Sequence, residues 1–180
     1  VEIVVELGRL WGKANEAAAQ QKRKERSNNS RIDSYGIPSR NTIMDLRITG
    51  KTALVLAASQ GLGKASAAAL AAEGVRVAIV SRRKEELDKV AEEIGAAMCV
   101  ACDLSQGESI RQMVGEVEEQ LGSIDILVNN CGGPPAGTFE TILEEQWDAA
   151  YQQVFLSALR TTRAVLPGMR ARRWGRIINI

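Results

Sequence analysis

A chain of 180 residues, 45% hydrophobic and 25% charged, has ordinary soluble globular composition, with room for one domain and scarcely for two. It has no histidine, which removes Ser-His-Asp and Cys-His catalysis, H-E-x-x-H zinc sites and any histidine proton shuttle. The net charge of +1 provides no whole-molecule field toward nucleic acid or an anionic membrane, and no apolar run approaches the roughly 20 residues that cross a bilayer.

A soluble, cytoplasmic protein is the expectation, with no membrane and no nucleic acid among its partners. Three cysteines, Cys99, Cys102 and Cys131, are odd in number and too sparse for a disulfide scaffold, which fits a reducing compartment. Residues 1–43 hold eight Lys+Arg against five Asp+Glu, and residues 44–180 hold fifteen against seventeen, so composition changes near Met44. The first 43 residues read as a leader. Glu2 to Ala19 has the pattern of a short helix, and Gln20 to Ser30 has the composition of a disordered segment, its basic run Lys22 to Arg26 reading as a solvated tail. Met44 stands just before the first patterned segment and reads as an alternative start site.

From Lys51 onward, apolar runs of strand length alternate with helical periodicity, the pattern of a parallel sheet covered by helices. Thr52 to Ala58 is the first predicted strand. Gly61-Leu62-Gly63 opens an alanine-rich helix through Glu73, ended by Gly74. Val75 to Ser81 is the second strand, and a helix over 84–94 follows with Leu87, Val90, Ala91 and Ile94 on one face. Ala97 to Ala101 is the third strand; the helix from Gly107 to Leu121 buries Ile110, Met113, Val114, Val117 and Leu121; Ile124 to Asn129 is the fourth strand. A Gly/Pro loop, Cys131 to Gly137, leads to a long helix over 143–171 whose predicted buried stripe is Trp147, Tyr151, Val154, Ala158 and Val165, with Pro167 expected to bend or end it. Arg176 to Ile180 begins a fifth strand, expected to leave an unpaired edge of an incomplete Rossmann-type doubly wound α/β domain.

The chemistry sits at the strand ends. Ala57-Ala58-Ser59-Gln60-Gly61-Leu62-Gly63 joins the first strand to the first helix, where unpaired N–H groups and partial positive charge favour a phosphate and glycines let backbone approach it. About 20 residues on, an acidic side chain would accept from the ribose 2′-hydroxyl of NAD. Ser81-Arg82-Arg83-Lys84 stands there instead, and guanidinium groups suit an adenosine 2′-phosphate, so NADP(H) is expected in preference to NAD(H). Asp103-Leu104 after the third strand and Asn129-Asn130-Cys131-Gly132 after the fourth point to the same crevice, although each alone is a turn or a cap. Cys99-Val100-Ala101-Cys102 is formally C-x-x-C, but residues three apart on a strand face opposite ways, so core packing rather than a metal site accounts for it.

On these residues, Met44 to Ile180 resembles the N-terminal part of a short-chain dehydrogenase/reductase, close to the 3-oxoacyl-[acyl-carrier-protein] reductase-like members. Leu56 to Gly63 matches the family's T-G-x-x-x-G-x-G with Ala57 at the first glycine, Asp103-Leu104 matches its adenine contact, and Asn129 to Gly132 matches its N-N-A-G with Cys131 for Ala. The resemblance implies hydride transfer between a nicotinamide and a small-molecule carbonyl or acyl group, and a homo-oligomer assembled through the long helix 143–171. It also implies a Ser and a Tyr-x-x-x-Lys expected beyond Ile180, so no catalytic residue is assigned within the chain. Tyr35 is followed by Ser39 and Tyr151 by Phe155 at the Lys spacing, and Val154 stands where many members carry Asn. A non-catalytic dinucleotide sensor or scaffold of the same fold is the alternative.

Overall fold

The computed structural model describes residues 2–4, 45–133 and 136–180. The basic run, Met44, Tyr35 and the Pro134-Pro135 pair lie outside them. Six short runs become strands, β1 (Glu2–Val4), β2 (Thr52–Val55), β3 (Arg76–Ser81), β4 (Met98–Ala101), β5 (Ile126–Asn129) and β6 (Arg176–Asn179). All pair in parallel, in the order β1-β6-β5-β2-β3-β4. The chain winds outward from β2 to β4, then crosses back to lay β5 on the other side of β2. That reversal between β2 and β5 is the switch point at which doubly wound sheets open a crevice beyond their carboxyl ends.

Side-chain alternation divides the core into two layers. Ala53 and Val55 of β2 face one way with Val77, Ile79, Ile126 and Val128; Leu54 and Leu56 face the other with Ala78, Val80 and Leu127. Helices α1 (Gly61–Ala72) and α2 (Lys84–Ile94) cover the first face through Ala67, Leu70, Leu87 and Val90. Helix α3 (Gly107–Leu121) covers the second through Ile110, Met113 and Val117. Each fully buried Leu, Ile or Val contributes about 1.5–3 kcal/mol, which explains why short four-residue strands persist. Cys99 packs in the first layer and Cys102 in the second, so the two thiols diverge across the sheet as the strand period requires.

Three expectations are corrected. The first strand ends at Val55, because Leu56 to Gln60 already turns and Ala57 has φ +47°. Glu2–Val4 is a strand rather than the start of a helix, pairing Ile3 with Ile177 along the edge of β6 that was expected to stay open; an unpaired parallel edge accepts an extended β-branched segment readily. The rest of the predicted leader helix lies outside the described residues. The long helix is not continuous. It comprises α4 (Glu144–Ala150), a π-helix (Tyr151–Leu156) and α5 (Ser157–Ala171), which runs on past Pro167.

The π-helix changes the phase of the segment, so the predicted stripe is buried at Val165 but exposed at Trp147, Tyr151 and Val154. Ser157, Thr161, Val165 and Met169 form the face that packs down instead. Two hydroxyls on a buried face are tolerable because they bond back to their own helix, Ser157 Oγ donating to the Gln153 carbonyl (2.5 Å) and Thr161 Oγ1 to the Ser157 carbonyl (2.9 Å).

Candidate functional site

The carboxyl ends of β2 to β5 open into one cleft of about 840 Å³. Ala57, Ser59, Gln60, Gly61 and Leu62 form its floor, Ser81, Arg82 and Arg83 one end, Asp103 and Leu104 one wall, and Asn130, Cys131 and Gly132 the opposite wall. Of the predicted residues, only Gly63 and Asn129 do not line it, and both support it from behind.

Gly63 lies where the turn folds back on α1. A Cβ there would stand against the Ala57 carbonyl oxygen and 2.7 Å from Asn130 Nδ2, so only glycine fits. Asn130 Nδ2 donates to the Leu56 and Ala57 carbonyls at 3.3 and 3.2 Å, tying the fourth strand end to the turn. Gln60 is an extended N-cap without a side-chain cap bond, and the first turn of α1 carries no acidic residue. The first N–H groups of α1 therefore point at the cleft floor without a side-chain acceptor, and their partial positive charge suits a phosphate.

At the basic end, Arg83 pairs with Glu86 (2.8 Å) and Lys84 with Asp88. Among the described residues Arg82 has no ion-pair partner and is exposed. Lys84 is held above the usual lysine range by its hydrogen bond to Asp88 and then by Cys99, while Asp88 is held below the carboxylate range by Lys84. No carboxylate stands among the cleft residues at the end of β3.

Asp103 Oδ1 accepts from the Ser105 N–H (3.0 Å), an Asx turn that shapes the wall as its sequence context suggests. Burial, and then the charge of Asp103, pushes the Cys102 thiol up to about 11, and burial raises Cys131 as well. Both thiols are neutral near pH 7 and line the cleft as packing groups rather than nucleophiles.

Asn129, 4% exposed, turns away from the cleft toward a second cavity of about 420 Å³ between β5, β6 and α5. Its Nδ2 donates to Thr162 Oγ1 (3.0 Å) and Asn179 Oδ1 (2.9 Å), linking both strands to α5. Its Oδ1 is buried without a partner among the described residues.

Several cleft residues were not anticipated, among them Ser105, Gln106, Gln152, Gln153 and Arg160. The two glutamines come from the π-helix, whose local widening no periodicity reveals. Arg160 arrives from α5, and its Nη1 donates to the Ser105 carbonyl (2.9 Å) while Nη2 donates to Gln152 Oε1 (3.0 Å). Tyr151 stacks on Phe155 (ring centroids 5.3 Å apart) on the exposed side of the segment and so has no part in the cleft. Among the described residues no group of three His, Cys, Asp or Glu could hold a metal, and no helix is long and apolar enough to cross a membrane.

The sequence pattern of the family described as short chain dehydrogenase matches residues 51–180. An uncharacterized oxidoreductase of Bacillus subtilis, YvrD, is 36% identical over 140 residues, 76% of this chain and 53% of the relative. A 3-oxoacyl-[acyl-carrier-protein] reductase of Staphylococcus epidermidis is 33% identical over 135 residues, 72% of this chain and 55% of the relative. The L-sorbose reductase of Gluconobacter frateurii, solved with NADPH and L-sorbose, superposes with a TM-score of 0.70 at 34% identity, covering 76% of this chain and 54% of that one. The chain spans about half the length of the curated relatives it matches. A glycine-floored cleft at the switch point of a parallel sheet and a family match across 51–180 lead to one conclusion, that the chain belongs to the short-chain dehydrogenase family.

Proposed function

We propose that residues 44–180, with Glu2–Val4 added as an edge strand of the same sheet, are the cofactor-binding part of an NADP(H)-dependent oxidoreductase that interconverts a ketone or 3-oxoacyl group and its alcohol. The observation that carries the reading is the pair of anion-suited positions at opposite ends of one cleft, the α1 N-terminus without a side-chain cap and, at the end of β3, the exposed Arg82, which has no ion-pair partner among the described residues. A dinucleotide pyrophosphate would lie on the N–H groups of Gly61, Leu62 and Gly63, and an adenosine 2′-phosphate against Arg82 and Arg83. Asp103 and Leu104 would meet the adenine, and Asn130, Cys131 and Gly132 would form the facing wall. A solved relative with bound NADPH supports the choice of cofactor.

When bound, a nicotinamide would supply or accept the hydride. This chain's residues grip the phosphates, orient the adenosine and keep the cleft walls in place. No residue of the chain is assigned as proton donor. Leu143, Trp147, Tyr151, Phe155 and Leu159 are 41–64% exposed along one segment, an apolar surface that supports assembly with a second copy. Phe155→Glu is then expected to lower the sedimentation mass toward the monomer, and a mass equal to wild type would remove that surface from the interface. Three free cysteines agree with a cytoplasmic location.

Titration calorimetry tests the cofactor reading. NADPH should bind more tightly than NADH, and Arg82→Ala should weaken NADPH about tenfold, the worth of one charge-assisted phosphate contact, while leaving NADH unchanged. NADH binding as tightly as NADPH, or an Arg82→Ala protein with intact NADPH affinity, would overturn the proposal.

A further inference from the structure

One cation in the cleft belongs to neither anion-suited end. Arg160 is half-buried on α5, and both of its acceptors among the described residues, the Ser105 carbonyl and Gln152 Oε1, are neutral. Its Cδ and Nε lie 3.5 Å from where a Cβ on Gly107 would stand, so the stem packs against the first residue of α3. Holding a guanidinium partly out of water against neutral oxygens carries a desolvation cost that an ion pair would offset better. What the arrangement provides is geometry. A planar fork with two fixed donors spans two separate walls, the β4–α3 turn that contains Asp103 and the π-helix that contributes Gln152 and Gln153.

The two ends of the clasp would not meet by helical spacing alone. Gln152 and Arg160 are eight residues apart, about 12 Å along a regular α-helix, and the hydrogen bond between their side chains spans that separation. Ser105 is held at its N–H as well, by the Asx turn from Asp103 (3.0 Å). Arg160 takes the Ser105 carbonyl, and Asp103, two residues upstream, is positioned with it.

We infer that Arg160 is a positioning residue of the nucleotide cleft, fixing the Asp103–Gly107 wall against the π-helix so that the adenosine 2′-phosphate half of the dinucleotide meets a preformed pocket. The inference rests on the reading of the cleft as a dinucleotide site. It is specific to one half of the ligand, because the phosphate turn at Gly61 to Gly63 is held by Asn130 and not by Arg160.

The test uses the full chain with 2′,5′-ADP as probe for the adenosine half and inorganic pyrophosphate as probe for the turn, together with amide hydrogen exchange over 103–107. Arg160→Met should weaken 2′,5′-ADP about tenfold, leave pyrophosphate unchanged and speed exchange in that segment. Arg160→Lys keeps the charge but cannot span both acceptors, so it should behave like Met; Gln152→Ala, which leaves the charge and one arm, should fall between. Wild-type affinity in Arg160→Lys would mean that charge alone acts, and unchanged exchange over 103–107 in Arg160→Met would show that the wall does not depend on the clasp. Either result overturns the inference. A wild-type protein that binds no 2′,5′-ADP would instead overturn the dinucleotide reading, and the inferred role with it, while the exchange readout still tells whether Arg160 holds the wall.

Discussion

Replacing Gly63 with alanine probes the junction on which the cleft floor depends. The added methyl would contact the Ala57 carbonyl oxygen and stand 2.7 Å from Asn130 Nδ2 and 3.0 Å from the Ala57 carbonyl carbon. None of these is the free end of a flexible side chain, since Ala57 is backbone between β2 and α1 and the Asn130 amide is bonded to two carbonyls. Relief requires α1 to move off the sheet or Asn130 to let go. Overpacking costs about 1–3 kcal/mol, and each hydrogen bond lost adds about 1 kcal/mol. Alanine recovers at most about 1 kcal/mol through its helix propensity. The net expectation is a loss of about 2–3 kcal/mol, a fall in Tm of roughly 5–10 °C for a domain of this size, measured by urea and thermal unfolding under far-UV circular dichroism. Gly115→Ala on the exposed face of α3, where a Cβ would meet nothing within 4 Å, is the control and should gain about 0.5–1 kcal/mol. If Gly63→Ala kept wild-type stability to within about 0.5 kcal/mol and also kept NADPH affinity, the close-approach argument would fail.

Ala57 carries the converse strain. At φ +47° an L-residue costs about 1–2 kcal/mol, while glycine there loosens the unfolded chain by about 0.4–1 kcal/mol, so Ala57→Gly should stabilise by about 0.5–1 kcal/mol in urea unfolding, and a destabilised variant would contradict the strain. The Cys102 thiol gives a pH signature. Its folded pKa of about 11 lies above the ordinary 9.0, so its stabilising contribution is complete below pH 9 and is lost as pH rises toward 11, because the unfolded chain ionises first. The slope should amount to about 2–3 kcal/mol across that window. It should be missing in Cys102→Ala, and equal slopes in the two proteins would assign the alkaline loss to other groups.

The sheet followed closely from local pattern. Helices 84–94 and 107–121 match prediction to the residue, because each has a single continuous apolar stripe with a glycine just past its end. The strand starts at Thr52 and Arg176 match prediction, and the other three fell one to two residues inside the predicted runs, where flanking apolar residues such as Val75 and Ile124 are buried without joining the ladder. The segment 143–171 defeated the same method. A period of 3.6 presumes an unbroken helix, and six residues of π-helix rotate everything before Ser157 out of phase with everything after it. Ser157 and Thr161 compounded the error, since a polar residue reads as a surface residue unless its hydroxyl has a bond inside its own helix, and here both do.

The cleft divides along the same line. Its floor and ends are short contiguous stretches, Ala57 to Leu62, Ser81 to Arg83 and Asn130 to Gly132, and a strand-turn-helix context is enough to aim such stretches at one crevice. What joins the walls is non-local, and its partners are backbone. Arg160 reaches Ser105 across 55 positions and bonds a carbonyl that every residue type possesses, so the identity of residue 105 carries no trace of the contact. Asn130 is similar, since its amide meets the Leu56 and Ala57 carbonyls, yet it stood inside a recognisable motif and so was found, although for its place in the motif rather than for this bond. A residue that binds a ligand must have the right chemistry at the right strand end, which a sequence displays. A residue that holds another in place needs only reach, and Arg160, one of four arginines between 160 and 172, is separated from the rest by where α5 places it.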